Sequence, residues 1–114
     1  MARVLIVAEE RLARRVAWVL EDAGHSILLA HSPAAGLSEA SESRPDVVLI
    51  NSIVPVDQVA RYTSDLLERS PGTRVLDMAH QAGSVPRPIA ADAQLTQPFH
   101  ADDLLAEVDR LVRK

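Results

Sequence analysis

Pro45-Asp-Val-Val-Leu-Ile-Asn-Ser-Ile-Val-Pro55 decides the fold. Val47 to Ile50 is an unbroken apolar run bracketed by Asp46 and Asn51, with no alternation of polar and apolar positions. An antiparallel strand with one wet face alternates; a parallel strand covered by helices on both faces does not. The stretch therefore predicts a buried parallel strand over 46–51, ended by a turn at Pro55. Arg3-Val-Leu-Ile-Val-Ala8 has the same character near the start of the chain. Ser26 to Ala30 and Arg74 to Ala79 read as further strands, the latter interrupted by Asp77, and Ala93 to Thr96 as a short fifth.

The segments between these strands carry helical spacing. From Arg11 to Ala23, the residues Leu12, Val16, Val19, Leu20 and Ala23 share one face and Gly24 stands where the helix would end. Ser32-Pro33 supplies an N-cap and a first-turn proline for an Ala/Ser-rich helix holding Leu37 and Ala40, which Arg44-Pro45 terminates. Val59, Thr63, Leu66 and Leu67 mark a third helix closed by Pro71-Gly72, and Leu104, Leu105, Val108, Leu111 and Val112 mark a terminal one. Gly83, Pro86 and Pro88, lying within Gln81 to Ile89, oppose a regular helix between the last two strands. The expectation is a three-layer α/β sandwich with right-handed crossovers, its fourth helix lost or distorted.

Length and composition narrow the function. The 114 residues, 47% hydrophobic and 25% charged with net charge −4, suit one domain over 1–114. The absence of cysteine excludes a disulfide framework, a thiolate zinc site and a cysteine nucleophile. An aromatic fraction of 3%, a negative net charge and a single lysine, Lys114, argue against a nucleic-acid partner. The longest apolar runs fall far short of the ~20 residues that span a bilayer. Without a signal-like segment after Met1-Ala2-Arg3, the expected location is the cytoplasm. Glycines at 24, 36, 72 and 83 form neither a dinucleotide fingerprint nor a phosphate loop, and no G-x-S-x-G elbow occurs. No enzyme activity, cofactor or metal is expected; His80 and His100 with Glu9 lack ligand spacing.

In open α/β sheets, ligands bind beyond the carboxyl ends of the strands, which singles out Ala8-Glu9-Glu10, Asn51, Met78-Ala79 and Gln97-Pro98-Phe99. In order and spacing these resemble the receiver domain of two-component response regulators. That family has V-L-I-V before an acidic pair, P-D-V-V-L-I before the phosphoacceptor with a proline four residues on, a T-A pair after strand four, and K-P-F after strand five. The resemblance covers essentially the whole chain. It implies a flavodoxin-like (βα)5 fold with a doubly wound five-stranded parallel sheet.

The resemblance also implies a phosphorylation site, and there the sequence departs from the family. Asn51 stands at the phosphoacceptor position, where a carboxamide cannot form an acyl phosphate. The Mg²⁺-holding acidic pair becomes Ala8-Glu9, too little anionic oxygen for a hard cation. Gln97 replaces the lysine that pairs with phosphoryl oxygens, Met78 the hydroxyl that reports phosphorylation, and Gln94 the aromatic that swings with it. Ala8, Glu9, Asn51, Met78 and Gln97 thus read as a neutralised pocket: either a hydrogen-bonded polar lid on the sheet or a weak ligand site.

A helical wheel sets Trp18 opposite the stripe of the first helix, among Arg11, Arg14 and Arg15 and near Glu21 and Asp22. Trp and Arg are frequent interface anchors, although a lone Trp resting on Arg stems is also ordinary surface. Arg110 and Glu107 are expected to border this patch. Asp77 points by strand alternation away from Asn51, which disfavours it as a substitute phosphoacceptor. The reading is a pseudo-receiver that contacts a protein partner (a regulator, a kinase or a second copy, as a homodimer). The alternative is a small-molecule sensor using the neutralised pocket. A third reading is a regulator joined to, or partnering, a DNA-binding or kinase protein.

Overall fold

The computed structural model describes residues 2–81 and 91–113. Five strands, β1 (Arg3–Val7), β2 (Ser26–Ala30), β3 (Val47–Ile50), β4 (Arg74–Gln81) and β5 (Ala93–Gln97), alternate with α1 (Glu10–Asp22), α2 (Pro33–Ser43), α3 (Val59–Arg69) and α4 (Ala101–Val112). All strands are parallel, in the order β2-β1-β3-β4-β5. This is the flavodoxin-like order, which reverses direction between β1 and β3.

Strand alternation builds two cores. Val4 and Ile6 of β1, Val47 and Leu49 of β3, and Leu76 and Met78 of β4 face α1 and α4, meeting Val16, Leu20, Leu104 and Val108. Leu5, Val7, Val48, Ile50 and Val75 face the other way, onto Ala40 of α2 and Tyr62 and Leu66 of α3. Helices α1 and α4 thus share a side, as a parallel sandwich requires. Against β1, α2 approaches closely because Gly36 has no side chain: a Cβ there would lie 2.7 Å from Val7 Cγ2 and closer still to Tyr62 Oη. The Tyr62 hydroxyl donates to Pro33 O at 2.7 Å, and its burial pushes the phenol pKa up to about 12.

Helix ends follow local chemistry. Ser32 caps α2 by accepting from Ala35 N, with Pro33 in the first turn. Gly24, at φ +94°, donates to Glu21 O just past α1. Arg44 closes α2 in a left-handed conformation, φ 47°.

Three expectations change. The buried stripe of α1 is Ala13, Val16, Ala17 and Leu20, whereas Leu12 and Val19 are only half-buried; the stripe is rotated toward the alanines, whose small side chains let the helix sit low on the sheet. Strand β3 is shorter than 46–51 by one residue at each end, because Asp46 turns its carboxylate to Arg3 N and Asn51 begins a turn. Strand β4 is not broken at Asp77 but runs on to Gln81, with a register shift against β5 between Asp77 and His80. Asp77 Oδ1 accepts the Ala79 N–H at 2.8 Å within that irregular stretch, which gives a carboxylate only 4% exposed a place in a strand. The expected loss or distortion of a helix between β4 and β5 falls on residues 82–90, outside the described residues.

Candidate functional site at the strand ends

The crevice above the β1/β3 switch point is where this topology places a ligand. A cavity of about 280 Å³ lies there, walled by Glu9, Asn51, Ser52, Ala79 and Gln97 and by Arg11 and Arg15 from the start of α1. Three of the five residues singled out in the sequence meet at this cavity. The other two do not: Ala8 and Met78 are fully buried in the core beneath it, and Ala79 forms the wall in place of Met78. Alternation explains this, since Met78 follows Leu76 onto the α1/α4 face.

Glu9, Asn51 and Gln97 are each bonded to nearby backbone. Glu9 is the N-cap of α1, its two oxygens accepting from Arg11 N at 2.9 Å and Leu12 N at 2.6 Å. Asn51 is 4% exposed, and its Oδ1 accepts from Ile53 N at 3.1 Å while its carbonyl accepts from Val54 N. Gln97 donates through Nε2 to Met78 O, and the following peptide bond to Pro98 is cis. The cap role of Glu9 was not open to sequence reasoning, because Ser, Thr, Asp and Asn are the usual N-caps and Glu is more often found inside the first turn. The cations differ among themselves: Arg14 pairs with Glu10 at 2.6 Å one turn back, whereas Arg11 and Arg15 form no ion pair among the described residues.

Trp18 is 72% exposed, as the wheel predicts. It walls a second, larger space of about 610 Å³ between α1 and the β5–α4 connection, together with Arg14 and Arg15 and the apolar Leu12, Val19, Phe99 and Leu104. Sequence reasoning placed Phe99 at a strand end but could not see this groove, whose walls come from α1 and from the distant β5–α4 connection. Arg110 and Glu107, expected near the patch, pair with each other along α4 at 2.7 Å and are not among the residues that line the groove. His100 takes the N-cap position of α4, its backbone N–H donating to Asp103 Oδ2.

No family model and no curated protein matches the chain. Solved structures do. A response regulator receiver domain protein from Clostridium thermocellum superposes with a TM-score of 0.84 at 21% identity, over 99% of this chain and 95% of that one. The chemotaxis protein CheY4 of Vibrio cholerae gives 0.80 at 23% identity, over 97% and 98%. The fold is that of a receiver domain. NtrX from Brucella abortus, solved with ADP, matches with a TM-score of 0.84 at 22% identity over 98% of this chain, which spans only 26% of NtrX. No helix among the described residues is long and apolar enough to cross a membrane.

Proposed function

We propose that this receiver-fold domain is a phosphorylation-independent signalling module that acts through protein contact. The observation that carries the reading is Asn51, which stands at the end of β3 beside the switch point as a carboxamide engaged with the Ile53 N–H. A carboxamide offers no anionic oxygen to attack a phosphoryl group. Glu9, the remaining carboxylate of the cavity, is committed to the first turn of α1, which weakens its claim on a divalent cation. The reading assigns binding rather than catalysis.

The contact face of this reading is α1, where Trp18 stands free among Arg11, Arg14 and Arg15. A rigid aromatic beside planar cations suits an acidic protein surface, whether on a regulator, a kinase or a second copy. The decisive experiment for the absent switch is incubation with acetyl phosphate and Mg²⁺ followed by intact-mass measurement. The mass stays unchanged under this reading; a stable phosphoryl adduct overturns it. A second reading, a small-molecule sensor, draws support from the cavity itself, whose two arginines form no ion pair among the described residues and invite an anion.

A further inference from the structure

Two cavities meet along one edge of α1. Leu12, Arg15 and Gln97 wall both the 280 Å³ crevice and the 610 Å³ groove, so the two spaces lie side by side across these three side chains. Its two ends differ in chemistry. At the crevice stand Arg11 and Arg15, and the nearest counter-charge, Glu9, has both oxygens occupied by backbone N–H groups. With one carboxylate against two guanidinium groups, the crevice is formally positive in a chain whose net charge is −4. At the groove, Leu12, Val19 and Phe99 rest half-buried on the core and Trp18 forms an outer wall.

We propose that the two adjoining cavities together bind a small amphipathic carboxylate, with its anionic head between Arg11 and Arg15 and its apolar body reaching past Leu12 along the groove toward Phe99. Planar guanidinium groups recognise a carboxylate in two-pronged fashion, which fixes the head. Burial of the hydrocarbon against Leu12, Val19 and Phe99 supplies the rest, at roughly 25 cal/mol per Å² removed from water. The groove volume lies within the roughly 300–1,000 Å³ of sites that enclose small ligands. This inference stands apart from the phosphoryl question: an adduct with acetyl phosphate would leave it intact, and its failure would leave the protein-contact reading intact.

The test uses octanoate as probe, titrated into the full chain and followed by calorimetry and by emission of Trp18, the single tryptophan. Saturable one-site binding with a change in Trp18 emission is expected, with 1-octanol binding about tenfold more weakly or worse. Arg11→Met and Arg15→Met keep the apolar stems and should each weaken octanoate by about tenfold, the scale of one charge-assisted contact. Arg14→Met, which removes a cation already paired with Glu10, should change it less than about twofold. Ala101→Trp, filling the groove from the exposed first turn of α4, should abolish octanoate binding. The proposal is overturned by absence of saturable binding, by equal affinity for octanoate and 1-octanol, or by an Arg11→Met/Arg15→Met double variant that binds like wild type. Inorganic phosphate binding as tightly as octanoate would also overturn it, since that describes a site for the head alone.

Discussion

The two faces of one sheet are finished differently. On the α2/α3 side, Gly36 brings a helix against Val7 and Tyr62, and the Tyr62 hydroxyl closes onto Pro33 O, leaving no room for a single methyl group. On the α1/α4 side, the same strands carry a core just as apolar, yet a groove walled by Trp18 and Phe99 stays open between α1 and the β5–α4 connection. Close packing resists change, because interiors behave like organic crystals and extra volume must displace neighbours. A gap over an intact core can take a ligand or a partner without disturbing the fold. The α2/α3 face is thus closely packed, whereas α1 borders an open groove and is the face proposed for recognition.

Substitutions can break this contrast, and the largest effect should come from Gly36. Gly36→Val places atoms within van der Waals distance of Val7 and Tyr62 and should cost about 3 kcal/mol by urea unfolding. A variant as stable as wild type would show that the close face is not close. Tyr62→Phe removes the part-buried hydrogen bond to Pro33 O, for an expected loss of about 1 kcal/mol.

The same tyrosine sharpens the comparison through pH. Burial raises its folded pKa to about 12 from 10.0, so its contribution is fully present below pH 10 and is lost as pH rises from there through about 12. Because the chain has a single tyrosine, tyrosinate absorbance reports this titration without overlap; a midpoint at 10 would contradict the packing described. Next to it in sequence, Thr63 Oγ1 is buried with no hydrogen-bond partner among the described residues. Thr63→Val conserves shape while removing that hydroxyl and should be neutral or stabilising by up to about 1 kcal/mol, and a loss of 2 kcal/mol would reveal a bond formed in solution.

The architecture was legible wherever one physical pattern acted alone. Unbroken apolar runs marked β1 and β3, and Ser32-Pro33 marked the start of α2, because a cap oxygen and a fixed φ act locally. The stripe of α1 was misjudged because Ala13 and Ala17 carry little hydropathy signal, although small size is what lets them sit deepest. Asp77 reads as an interruption in sequence because a carboxylate in a strand is costly; its bond to Ala79 N lies beside a register shift that no local pattern encodes. At the site, the polar residues Glu9, Asn51 and Gln97 could be named from spacing, but not the burial of Ala8 and Met78 beneath them. The groove depends on the separation of α1 from a connection some eighty residues away, and no local pattern encodes it.

The division of labour between the two faces is tested most directly at Trp18. If α1 presents this side chain to solvent for recognition, removing it should leave folding almost untouched, since surface substitutions stay within about 0.5 kcal/mol. Urea unfolding of Trp18→Ala, followed by circular dichroism so that the lost fluorophore does not matter, should give a free energy within that margin of wild type. A loss of about 3 kcal/mol or more, the scale for a large aromatic truncated inside a core, would contradict the account.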